Sequence, residues 1–158
     1  MYSAVLVLIL STALFFFYLQ TICQKILAKE FERDYFLPIV NANRLEFLSV
    51  RKAVEEFDAP VDYVRFCMML KCDFLALTYL LKNAANVDHR YTLHDRLLIV
   101  YFKCVYVLLR IRHLLRMDEK SPILRLTSIL QYFGNVVGRR VTSAGFKDLS
   151  ASDYLLTL

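Results

Sequence analysis

MYSAVLVLILSTALFFFYLQTICQ, residues 1–24, contains no Asp, Glu, Lys, Arg or His; the first of these is Lys25. Gly and Pro are absent from it as well. As a helix, twenty-odd apolar residues reach about 30–36 Å, enough to cross a hydrocarbon core. Three readings of such a stretch compete. A cleaved signal peptide wants a basic start, a short apolar core and a small-residue cleavage site. Met1-Tyr2-Ser3 carries no Lys or Arg, the apolar run is long, and no A-x-A pattern follows it. A buried core helix is unusual when the apolar stretch begins at the second residue. The sequence therefore predicts an uncleaved transmembrane anchor over 1–24, with Tyr18 near one interface, where aromatic side chains gather.

The flanking charges give an orientation. Lys25, Lys29 and Arg33 follow the anchor, and only the α-amino group precedes it. The positive-inside rule counts Lys and Arg and largely ignores the acids. It predicts a single-pass protein with its N-terminus outside and the bulk of the chain cytoplasmic. In that reducing compartment Cys23, Cys67, Cys72 and Cys104 are expected to be structural thiols. Cys67 and Cys72 are five residues apart, so on a helix they point about 140° away from each other. That spacing is neither a metal pair nor a CxxC redox motif.

The rest of the chain reads as helices. Overall, 58% of residues are hydrophobic and 22% charged, with 3 Gly and 3 Pro. This excludes disorder for most of the chain, a collagen-like repeat, and a sheet of many tight turns. Residues 25–42 read as an extension of the anchor helix to about Asp34, then a turn through FLPIVNANR, where Pro38 interrupts the pattern. Residues 43–140 read as a compact cytoplasmic bundle of about four helices, over about 43–57, 60–84, 92–117 and 122–138. The two long apolar helices over 60–84 and 92–117 are expected to form its core. Charges interrupt both, which makes further spans costly. Thr92 and Asp95 have the capping-box spacing. Ser121-Pro122 marks the next start, and Ile123, Leu126, Ile129, Leu130, Phe133 and Val137 trace a buried stripe. Gly134 and Gly138 allow close packing there, and Gly138 fits a helix stop. Residues 141–158 read as a tail with a possible docking helix after Ser150. The fold class is all-α.

Chemistry-bearing patterns are sparse. Three glycines make no phosphate loop, and no GxSxG, HExxH or EF-hand pattern occurs. His89 and His94 sit at a loop-to-helix junction with Asp88 and Asp95 nearby, which fits solvated histidines better than metal ligands. No catalytic residue, metal site or cofactor is expected, and the protein is not expected to be an enzyme. The basic residues Arg110, Arg112, Arg116, Arg139 and Arg140, within a net charge of +5, are candidate contacts for anionic lipid or an acidic partner. Nucleic acid would want a denser patch or a recognisable module.

These readings combine into a membrane-anchored helical interaction or scaffold protein. It would serve as a non-catalytic subunit or regulator of a membrane-associated assembly, with a protein partner or further copies of itself. The alternative is a binder of, or enzyme on, a lipid or quinone-like apolar ligand at the membrane surface. Its pocket is expected between the third, fourth and fifth helices, with Tyr79, Tyr101, Tyr106 or Arg110 near the mouth.

Overall fold

The computed structural model describes residues 2–29, 35–56, 62–83 and 91–143. Among these the protein is all-helical: α1 (Tyr2–Lys29), α2 (Phe36–Asn43), α3 (Phe47–Glu56), α4 (Tyr63–Asn83), α5 (Leu93–Leu114) and α6 (Lys120–Ser143). The cores of the four helices expected after residue 42 are all present. The described residues add a fifth, α2, in place of the expected turn. Pro38 lies in the first turn of α2, where an amide N–H would have no intrahelical partner anyway. Helix α2 closes at Arg44, which takes a left-handed conformation (φ 51°) so that the N–H groups of Arg44 and Leu45 both return to the Val40 carbonyl.

The centre is α6, which packs against each of the other five helices. The expected core pair, α4 and α5, flanks it instead. Ile123, Leu126, Ile129, Leu130, Phe133 and Val137 are completely buried, as the 3.6-residue periodicity of that stretch requires. Helices α4 and α5 meet chiefly through rings: Phe74 stacks on Phe102 at 4.0 Å between centroids, and Phe133 of α6 closes the cluster. Gly138 does not end α6, which continues to Ser143. A methyl at 138 would overlap the Tyr35 carbonyl, and one at 134 would come within 2.9 Å of the Phe36 Cβ. The small-residue stripe is where α2 lies down on α6.

The buried polar side chains act largely as helix caps. The Phe36 N–H, at the start of α2, donates to Asn135 Oδ1 of α6 at 3.1 Å. The Glu46 and Phe47 N–H groups, at the start of α3, donate to Asp73 Oδ2 of α4 at 2.9 and 2.7 Å. Thr92 and Asp95 form the expected capping box on α5. Each buried oxygen thus meets amides that have no partner inside their own helix. The cost of burying Asp73 is visible in its titration: burial pushes its carboxyl up to about 6, against the pull of those two N–H donors. Between the ordinary carboxylate range and pH 6 the native state holds a proton that the unfolded chain has released. Stability from this group is therefore complete at low pH and declines as pH rises through that window, by about 3 kcal/mol in all. Asp73→Asn keeps an acceptor for both amides and removes the charge. Relative to wild type, its melting temperature should climb from pH 4 to pH 7 in thermal scans; parallel curves would contradict this.

The tail from 144 to 158, with its possible docking helix, lies outside the described residues, as do Asp88 and His89.

Candidate functional site

Residues Tyr2–Tyr18 of α1 are exposed along their whole length, and α1 is long and apolar enough to cross a membrane. Both of its threonines turn their hydroxyls back on the helix: Thr12 and Thr21 donate to the carbonyls of Leu8 and Phe17 at 2.7 and 2.9 Å. Such back-bonding satisfies a hydroxyl where water is missing. The last turns behave differently. Leu19, Cys23 and Leu27, one helical turn apart, are buried against the domain.

Helix α1 runs antiparallel to α5. Cys23 lies beside Tyr101 and Cys104, while Phe16 and Leu19 share a groove with Val107, Leu108 and Ile111. The exposed part of α1 therefore projects past the C-terminal end of α5. At this end Leu114, Leu115 and Met117 stand exposed at the corner between α5 and α6, and Val64 and Met68 of α4 are exposed nearby. That corner turns through Arg116, left-handed at φ 53°, with the Met117 N–H returning to the Arg112 carbonyl at 2.9 Å.

The five arginines singled out in the sequence do not form one surface. Arg110, Arg112 and Arg116 lie at the end from which α1 projects. Arg110 is exposed and sits over the Tyr106 ring at 5.3 Å, Arg112 donates to the Asp118 carbonyl, and Arg116 is exposed. Arg139 and Arg140 lie at the opposite end, about 25 Å away along α5. Arg139 is exposed. Arg140 is turned inward: it donates to Asp95 Oδ2 at 3.1 Å and to the Leu81 carbonyl at 3.0 Å, its side chain only 15% exposed. The last turn of α6 is thereby tied to the first turn of α5 and the last of α4.

An open groove of about 540 Å³ runs between α1 and α5, with Arg125 of α6 at its edge. This groove is framed by α1, α5 and α6, whereas the expected pocket lies between α4, α5 and α6. Of the four residues expected at its mouth, Tyr101 lines the groove; Tyr79, Tyr106 and Arg110 do not. The Tyr106 hydroxyl instead donates to the Cys67 carbonyl. Burial raises the pKa of Tyr101 and the neighbouring Arg125 guanidinium pulls it back; the hydroxyl is sealed from solvent and makes no well-formed hydrogen bond among the described residues.

The other candidates are spread out. His94 is exposed on α5, and His113 stacks on Tyr63 at 3.6 Å while its Nδ1 lies 2.7 Å from Glu119 Oε1. Asp95 is occupied as a cap, and the described residues bring no three potential metal ligands together. Cys23 and Cys67 are buried free thiols, Cys104 is half-buried and Cys72 is exposed. Comparison of the chain with protein-family models, curated proteins and solved structures finds no match.

A ridge on α5 escaped the sequence reading. Leu93, Val100, Val107, Ile111 and Leu114 are exposed and follow one another at intervals of seven, four and three residues, so they share one face over the length of the helix. Arg96, Lys103 and Arg110 form a basic row beside them. The periodicity that signals a buried face is present here on a face that the domain leaves uncovered.

Proposed function

We propose that this protein is a membrane-anchored interaction subunit. In this reading α1 crosses the bilayer once with its N-terminus outside, and a compact helical domain lies on the cytoplasmic side. Arg110, Arg112 and Arg116, at the end of the domain from which α1 projects, are the groups placed to reach anionic phosphates. The observation that carries the reading is the uncovered apolar ridge of α5 on a domain tied to an exposed apolar helix. Exposed apolar faces on a small domain mark contact surfaces; Leu93, Val100 and Leu114 are the part of the ridge outside the groove between α1 and α5, and Arg96 and Arg110 beside them fit an acidic rim on the protein that covers it. That protein is a second copy of the chain or another subunit of a membrane-associated assembly.

Native mass measurement of the full chain, extracted in mild detergent, tests this. The expected species is a complex of defined stoichiometry. Val100→Asp, an exposed change at the middle of the ridge, should weaken it by about 100-fold without altering the melting temperature of the subunit. A wild-type chain that is strictly monomeric and carries no second protein would contradict the reading.

A second reading, a binder of a lipid or quinone-like ligand, draws on the groove between α1 and α5.

A further inference from the structure

We infer that the groove between α1 and α5 holds one anionic phospholipid of the bilayer, its acyl chain in the trench and its phosphate on Lys103 and Arg125. The inference rests on the reading of α1 as the anchor.

Four observations converge on this occupant. The first is place: the groove opens beside the exposed segment of α1, so a lipid reaches it laterally, without crossing water. The second is chemistry of the walls. Phe16, Leu19, Val107, Leu108 and Ile111 make the trench apolar, and its volume of about 540 Å³ falls within the range of small-molecule sites, about 300–1,000 Å³. The third is charge. Lys103 and Arg125 are the ionisable lining groups apart from Tyr101 and Cys104, no acid lines the groove, and neither cation has a carboxylate partner among the described residues. An apolar trench with two unopposed cations complements one acyl chain of a phospholipid under an anionic head, the second chain staying among the bilayer lipids, and a zwitterionic head would bring its own cation into repulsion.

The fourth is Tyr101. It lines the groove, is 5% exposed, and its hydroxyl has no hydrogen-bond partner. A buried hydroxyl left unmade is costly; this one is sealed from solvent beside Arg125, so a phosphate or ester oxygen supplies the missing acceptor only once Arg125 swings outward to meet the headgroup. The groove thus contains the one orphaned side-chain group among the described residues. Lys103 reaches the headgroup from the exposed side of α5, and Arg125 reaches it from α6, so one lipid bridges all three helices that frame the groove.

The test uses the full chain, reconstituted into phosphatidylcholine vesicles with or without phosphatidylglycerol, extracted gently and examined by native mass spectrometry. The expected result is one phosphatidylglycerol retained per chain, preferred over phosphatidylcholine by on the order of 30-fold, as two headgroup cations imply. The Lys103→Gln, Arg125→Gln double variant should lose that preference. Leu108→Trp, which fills the trench and leaves both cations, should lose retention of either lipid. Tyr101→Phe should retain the lipid several-fold less well while melting no lower than wild type once delipidated, because it removes an unsatisfied group; a purely structural tyrosine would lower melting and leave retention unchanged. Equal retention of the two lipids, or an undiminished preference in the double variant, overturns the inference. A chain that floats with the vesicles but retains no phospholipid overturns the groove alone, whereas a chain that does not float overturns the anchor with it.

Discussion

Gly138→Ala will destabilise the domain by about 3 kcal/mol or more, and lower its melting temperature by roughly 10 °C. The sign is the informative part. In an exposed helix interior the same change stabilises by about 1 kcal/mol, because alanine is the better helix former. Here the added methyl overlaps the backbone carbonyl of Tyr35, which cannot rotate away as a flexible side chain would. Either α2 lifts from α6, or α6 distorts. Lifting α2 also withdraws the Phe36 N–H from Asn135, which is buried and then loses its donor. Gly134→Ala should cost less, about 1 kcal/mol net, since its methyl meets a Cβ at 2.9 Å and a small slide of the Phe36 side relieves it. Thermal scans of the two variants in the same detergent give the ranking. Equal melting, or a stabilised Gly138→Ala, would mean that α2 does not sit on this stripe.

Arg140→Ala will cost about 3–5 kcal/mol. Asp95 is only 1% exposed on its side chain, and Arg140 is its ionic partner at 3.1 Å. Removing the guanidinium leaves a carboxylate in low dielectric with the Thr92 N–H still donating to it at 3.0 Å. It also frees the Leu81 carbonyl at the end of α4. Most of the loss is the uncompensated charge, so it should shrink when the charge is removed first. In an Asp95→Asn background the same Arg140→Ala change should cost about 1 kcal/mol, the value of a neutral hydrogen bond. A double-mutant cycle from denaturant melts reads the coupling directly. Additive losses would place Arg140 at the surface, in the role the basic cluster alone implied.

The sequence shows some of this plainly, and physical reasons explain what it conceals. An uncharged block such as residues 1–24 is legible because a helix of that composition has few places to be. Thr92 with Asp95, and the stripe from Ile123 to Val137, are legible because a cap and a buried face are encoded within one or two turns. Helix α2 is not. Its first amide is capped by Asn135, 99 residues away, and its bed is Gly134 and Gly138 on another helix. Read locally, Pro38 looks like an interruption, whereas the first turn of a helix tolerates it. Asp73 was equally hidden, since a lone acid within an apolar helix carries no sign of the amides it serves on α3. Arg139 and Arg140 are adjacent in the chain, yet one is exposed and the other closes the bundle. The groove is hidden for a related reason: Leu19, Cys23 and Leu27 read as part of one apolar span, and only their burial against α5 and α6 shows that α1 and the domain share a wall.

The central proposal is that α1 is inserted in a bilayer, with the far end of α5 held away from it. The chain has no Trp, so a single introduced Trp reports its own surroundings without background from another. Leu8→Trp lies on the projecting part of α1, Leu115→Trp at the corner, and His94→Trp at the far end of α5, all at exposed positions. In vesicles containing acyl-brominated phospholipid, the Leu8→Trp emission should be strongly quenched, that of Leu115→Trp less, and that of His94→Trp not at all. Equal emission from all three, or quenching at residue 94 that exceeds that at residue 8, would contradict insertion of α1.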